Sequence, residues 1–386
     1  MTTRALLFAP YIFHFITAVR GVPNFGILQA IYYVTCVLLE VPSGIAADRW
    51  GRKKTLLLGA AMHTIGCVVF AVSHDFWIFA VGEVLFAAST ALVSGADSAL
   101  LYDSLAAEKR ESEYPRAEGA AQFSWLLMSA LALPLTDAFL VVAQDPTRAY
   151  WVTATLGVVG VGFACFMVEP PMGRRQTLRE ITFGAARDVV RLPGVLRIVA
   201  YSVGLFLLLR AAMVNFYNPV LKASGVSVDN FGTIFAAVNL VGALSVALVP
   251  RARARFGERA VLIAFPAGMI FMFLALIPLR TPMAASLFLI QGAAFGAYPL
   301  LVRTILNRRI PSPERRATIL SMESMTCRLA FAVVTILADE TLGLTKSLSI
   351  ALGVTVAASC IPFLLMLLAP KAPETAAPGP DRTGDV

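Results

Sequence analysis

The sequence predicts an all-α membrane protein: twelve transmembrane helices in two pseudo-symmetric six-helix halves. Three observations predict it. Of 386 residues, 58% are hydrophobic and only 15% charged, and mean hydropathy is +0.75. Soluble chains run at about 45–50% apolar and about 25% charged. The apolar residues fall in twelve runs near the roughly 20 residues that cross a bilayer as a helix. The Lys and Arg residues gather in alternate connections between those runs.

The spans are predicted near residues 5–21, 25–43, 55–73, 76–102, 118–142, 150–168, 197–217, 229–249, 260–279, 283–304, 317–338 and 346–369, numbered 1 to 12 below. Prolines inside them are tolerated, because neighbouring helices satisfy the freed backbone groups. Span 1 lies between Arg4 and Arg20. It is short for a crossing, so either the helix is short or the chain starts further upstream. No small-residue cleavage site follows it, which argues against a cleaved signal peptide.

The connection after span 2 carries Arg49, Arg52, Lys53 and Lys54, and those after spans 4, 6, 8 and 10 are likewise basic. The opposite connections hold only Arg20, Arg148, Lys222, Arg280 and Lys346. By the positive-inside rule, the basic connections and both termini are cytoplasmic, in the inner (plasma) membrane. The same placement explains the net charge of +8 without nucleic acid.

Residues 1–168 are expected to form the first half, 169–196 a cytoplasmic linker, 197–369 the second half and 370–386 a disordered tail rich in Pro, Ala and Gly. In the linker, Thr177 followed by Glu180 fits a capping box. Leu178, Ile181, Ala185, Val189 and Leu192 then recur at helical spacing. This predicts an amphipathic helix on the inner leaflet, with an unstructured linker as the alternative. The five cysteines lie in apolar runs and read as buried free thiols. No Walker loop, hydrolase triad or metal-ligand spacing is visible, so neither an enzyme nor a cofactor is expected.

Residues 44–54 read G-I-A-A-D-R-W-G-R-K-K. Residues 251–259, R-A-R-A-R-F-G-E-R, echo them, with Arg255 matching Arg49, Gly257 matching Gly51 and Ala254 standing for Asp48. A second echo pairs Gly95, Leu101, Leu105 and Ala117 with Gly296, Leu301, Leu306 and Ala317. Two parallel six-helix halves are a recognised transporter plan.

The pattern G-x-x-x-D-R-x-G-R-K after an even span resembles the signature of the major facilitator superfamily, and the likeness covers essentially the whole chain. Its positions here are Gly44, Asp48, Arg49, Gly51, Arg52 and Lys53. The stretches E-V-P-S-G (40–44), G-A-D-S-A-L-L-Y-D-S-L (95–105) and R-A-T-I-L-S (316–321) resemble a branch of efflux permeases. Two features of drug–proton antiporters are missing. Glu83 stands where their fourth helix carries an arginine, and residues 124–137 contain no Gly-Pro pair.

The resemblance implies alternating access around a cavity lined by spans 1, 4, 7 and 10. It also implies that the six signature residues latch the cytoplasmic side shut; a plain topological anchor is the alternative. Physically, Gly44 and Gly51 permit tight turns and close approach of helix ends. Asp48 is expected to pair with Arg52 or to cap a neighbouring helix N-terminus.

Ionisable groups at membrane depth are costly and mark function. Glu83 stands about 10 Å into span 4. Asp97 is two heptads on and so on nearly the same face. Glu83 is the first candidate for proton coupling or cation binding, with Asp97, Glu323 and His14 behind it; static ion pairing is the alternative. Arg210 lies about 20 Å into span 7 and Arg328 about 16 Å into span 11.

These arginines, with Tyr298 and Tyr11, are candidates to hold an anionic organic substrate, or else they neutralise Glu83 and Glu323. Glu323 and Arg328 are five apart, so separate partners are expected. Asn215, Asn218 and Pro219 read as the outer end of span 7.

The expected function is secondary active transport: proton-coupled export of a small amphiphilic or anionic molecule such as a drug, secondary metabolite or siderophore, by a monomer in the lipid bilayer. Proton-coupled uptake is the alternative, and a non-transporting membrane sensor or scaffold the second.

Overall fold

Spans 2 to 12 are all helical in the computed structural model, which describes residues 25–72, 75–94, 96–143, 147–169, 193–279, 281–309 and 313–368. Span 1 with Tyr11 and His14, the amphipathic linker helix and the tail lie outside the described residues.

Helices run past their expected ends at the basic turns, and spans 7 and 11 also run past their expected outer ends. Span 2 is Phe25–Trp50 and span 3 is Arg52–Val72. The basic stretch is therefore not a loop. It is helix on both sides of one residue, Gly51, whose φ of 97° an L side chain rarely adopts. The second half repeats the device: span 8 is Phe231–Phe256, span 9 is Glu258–Leu276, and Gly257 between them has φ of 83°. Charged residues extended both helices because a helix end standing in water needs no apolar side chains. Gly44 meets no close contact, so it does not bring helix ends together as expected.

Span 4 is broken. Phe76–Val93 starts on Asp75, which accepts a hydrogen bond from the Trp77 N–H at 2.8 Å. It ends at Ser94, which has extended backbone, and Ala96–Ala107 follows as a separate helix. The shared face expected for Glu83 and Asp97 is lost at that break. Span 5 is Tyr114–Ala143 and span 6 is Thr147–Cys165. Cys165, at the end of span 6, is exposed, and Cys360 is half-buried; only Cys36, Cys67 and Cys327 are buried as expected.

Span 7 also departs from expectation. Pro193–Ala211 passes into a π-helical turn, Ala212–Phe216, and on into Tyr217–Ala223. Asn215, Asn218 and Pro219 thus lie inside the helix, not at its end. Proline in a helix removes one N–H and crowds the carbonyl four residues back. Here that carbonyl belongs to Asn215, within the widened turn, where a bulge accommodates the clash. Spans 10 to 12 are Ala284–Arg309, Pro313–Thr345 and Leu348–Leu368.

Nine helices among the described residues are long and apolar enough to cross a membrane. Their outward faces carry exposed apolar side chains such as Ile65, Ile263, Phe271 and Leu364. In water such a surface would aggregate; in lipid it is the ordinary exterior. In the first half, span 3 packs on spans 4 and 6, and span 2 on span 4. In the second half, span 7 packs on spans 11 and 12, and span 10 on spans 8 and 9. The halves meet where span 2 packs on span 11 and span 5 on span 8.

Candidate functional site

The basic turn is held by two acids, one from the second piece of span 4 and one just past span 6. Helix N-termini leave backbone N–H groups unsatisfied and carry partial positive charge. At the start of span 3, the Arg52 and Lys53 N–H groups donate to the two carboxylate oxygens of Glu169 at 2.6 and 2.9 Å. Gly51 makes room for this carboxylate, since a Cβ there would stand 2.9 Å from Glu169 Oε2. The Arg52 side chain pairs with Asp103 in the second piece of span 4. The Asp48 side chain lies outside the described residues. Glu169→Ala should cost about 1 kcal/mol, as for a lost helix cap. Thermal unfolding of the purified variant measures it.

An ion pair joins the halves. Arg328 of span 11 donates to Glu40 of span 2 at 2.5 Å, with side chains only 14% and 13% exposed. On the same seam, the Tyr33 and Phe331 rings meet edge to face at 4.8 Å. At the end away from the basic turns, the Gly26 N–H donates to Asp339 Oδ2 at 3.1 Å.

Two acids sit deep among neutral partners. Glu83, 4% exposed, accepts a hydrogen bond from the Gln29 amide at 3.3 Å. Glu323, 8% exposed, accepts from the hydroxyl of Ser202, from that of Tyr298 at 3.0 Å and from the Cys327 thiol at 3.4 Å. The Ser202 and Tyr298 hydroxyl oxygens stand 2.7 Å apart. The cluster ties spans 7, 10 and 11 together. A carboxyl group held only by neutral donors can exchange a proton without breaking an ion pair.

Arg210 has a different environment. Its guanidinium carbon lies 5.4 Å from the Phe206 ring centroid and 5.9 Å from that of Phe295. Its hydrogen bond among the described residues is to Met213 Sδ at 3.8 Å. One turn beyond, Asn215 bonds to Thr335 at 2.9 Å.

The candidates therefore do not form one cluster. Arg328 is spoken for by Glu40, not by Glu83 or Glu323. Tyr298 is bound into the Glu323 cluster. Arg210 faces aromatic rings. Asp97 stands apart from Glu83, on the short helix near the basic end. Sequence reasoning missed Glu40, Gln29, Ser202, Asp103 and Glu169 as partners. Glu40 carried a signal: it is an acid inside an apolar run, and it lies deep because span 2 continues ten residues beyond it.

A family model described as Major Facilitator Superfamily matches residues 5–335. The uncharacterized transporter BU466 of Buchnera aphidicola subsp. Acyrthosiphon pisum is 25% identical over 219 residues, 56% of this chain and 54% of that one. The inner membrane transport protein YajR of Escherichia coli K12 is 27% identical over 144 residues, 37% of this chain and 30% of that one. The chain thus spans about half the length of the first relative and under a third of the second. Two crystal structures of the nucleoside transporter NupG superpose with TM-scores of 0.75 and 0.74. They cover 95% of this chain and 97% and 96% of theirs, at 13% and 12% identity, which speaks to the fold alone.

Proposed function

The chain belongs to the major facilitator superfamily, and from that premise we propose that it is a secondary active transporter exporting a small amphiphilic or anionic organic molecule in exchange for protons. It works in the inner membrane with its basic turns in the cytoplasm, and moves its solute without transforming it. The two halves alternate about the seam between span 2 and span 11, opening one side of the central site at a time. The fold does not choose the substrate, since a nucleoside transporter shares it.

The observation that carries the reading is Glu83: a carboxyl group buried at membrane depth, hydrogen-bonded to a neutral amide. A fixed charge there would be costly with no cation bonded to it among the described residues, whereas a proton that comes and goes gives the group a role.

Purified protein in liposomes with a pH-sensitive dye inside tests this. Under opposing pH gradients, a panel of anionic and cationic amphiphiles should drive proton flux in the wild type. Glu83→Gln, which keeps shape and removes the titrating group, should lose nearly all of that flux while unfolding at an unchanged temperature. Equal flux in both proteins would take Glu83 out of the mechanism. The sign of the flux distinguishes exchange from co-transport.

A further inference from the structure

Building on that transporter reading, we propose that the substrate is an aromatic monoanion, an arene carboxylate, whose acid group docks on Arg210 and whose ring enters the aromatic collar around it. The inference begins with which deep charges are already satisfied. Arg328 is paired with Glu40, so that part of the seam is neutral. Glu83 and Glu323 are acids with neutral donors and would repel an anion if ionised. Among the described residues, Arg210 is the deep cation with no carboxylate partner.

A guanidinium presents five N–H donors in a planar fork. Among the described residues, Arg210 finds no carboxylate or carbonyl oxygen, only the Met213 sulfur at 3.8 Å, a weak acceptor. Cation–π contact with Phe206 and Phe295 offsets some of the desolvation but leaves the donors unfilled. A carboxylate fills two of them side by side, the geometry this fork favours. One unpaired cation calls for one negative charge; a dianion would bring a second charge to membrane depth with no further unpaired cation among the described residues to meet it.

The rest of the ligand is set by what surrounds that charge. Phe206 packs on Tyr298 with centroids 6.1 Å apart, and Phe295 on Trp125 at 5.8 Å. Spans 7 and 10 thus bring two flat rings against one guanidinium, and Trp125 of span 5 and Tyr298 of span 10 pack behind them. Flat faces favour a flat partner through offset or edge contact. The π-helical turn that begins two residues after Arg210 is a kind of irregularity frequent at functional sites.

The test is binding of 2-naphthoate to the purified full-length protein by titration calorimetry, with three comparison ligands. Cyclohexanecarboxylate keeps the charge without the arene, 1-naphthylmethylamine keeps the arene with opposite charge, and 2-naphthalenemethanol keeps the arene with none. Wild type should bind 2-naphthoate, bind cyclohexanecarboxylate about tenfold more weakly, and not bind the amine. Arg210→Gln should weaken 2-naphthoate by about tenfold or more, with Arg210→Lys between, because lysine keeps the charge and loses the fork. Phe295→Leu should weaken 2-naphthoate and leave cyclohexanecarboxylate unchanged, which separates stacking from charge.

No binding to wild type, unchanged affinity in a folded Arg210→Gln protein, or tighter binding of the amine or alcohol would overturn the proposal. Failure of the transport reading looks different: 2-naphthoate would bind through Arg210 and yet never cross sealed liposomes. Movement of a cationic or neutral solute that Arg210→Gln leaves unaltered would retire the proposal and keep the transporter.

Discussion

Gly296→Leu is expected to yield little monodisperse protein, because spans 8 and 10 touch backbone to backbone at that position. A Cβ on Gly296 would collide with the carbonyl oxygen of Gly242 and stand 2.8 Å from its carbonyl carbon. One turn earlier, a Cβ on Gly292 would collide with the carbonyl oxygen of Val238, while a Cβ on Gly242 would stand 3.1 Å from that of Gly292. Gly292 and Gly296 are four apart and so share a helix face. Glycine pairs at this spacing let membrane helices approach closely, and association there relies on packing because lipid supplies no hydrophobic drive.

Inserting a side chain into a tight contact costs about 1–3 kcal/mol, and the upper end applies where the obstacle is backbone that cannot rotate away. Size-exclusion profiles and melting curves of detergent-solubilised protein measure the effect. Gly353→Ala is the control: a Cβ there meets nothing, so it should be neutral or stabilise by up to about 1 kcal/mol through helix propensity. A Gly296→Leu protein that elutes and melts like wild type would refute the backbone contact.

Removing one member of the Glu40–Arg328 pair should have a comparable effect. Both side chains are nearly buried, and each neutralises the other across the seam between halves. Breaking such a pair by deleting one partner costs about 3–5 kcal/mol, since the survivor is left charged and unpaired. Arg328→Gln and Glu40→Gln should each lower the melting temperature sharply. The double Gln variant should recover most of the loss, because neither charge is then stranded. The swap Glu40→Arg with Arg328→Glu should recover part of it. If the double variant were no better than the singles, the cost would come from packing and not from charge. The pair also has to part if span 2 and span 11 separate during transport, so these variants should alter the balance between open and closed forms.

Much of the fold was legible along the chain. Twelve apolar runs, the alternation of basic connections and the echo of Gly51 by Gly257 are all local features, and the structure carries each one that falls within its described residues. The failures were local too. Hydropathy ends span 2 at residue 43 because Gly44, Asp48 and Arg49 are not apolar, although a helix leaving the bilayer needs no apolar side chains. Nothing in hydropathy marks the break in span 4 after Val93. The asparagines look like the end of span 7, although a widened turn carries it past them.

The site divides along the same line. Glu83, Arg210, Glu323, Arg328 and Tyr298 could be singled out because charge and hydrogen-bonding capacity at depth stand out against an apolar run. Their partners could not. Glu40 and Arg328 are 288 residues apart and Gly26 and Asp339 are 313 apart. The sequence alone determined how many apolar runs cross and roughly where each lies, since bilayer thickness imposes length and composition one run at a time. Only the tertiary structure decided which face of each helix meets which neighbour. In water an amphipathic stripe reveals that rotation. In lipid the outward face and the packed face are both apolar, so the sequence carries almost no rotational signal, and glycine contacts and ion pairs between distant spans emerge only when the helices are docked.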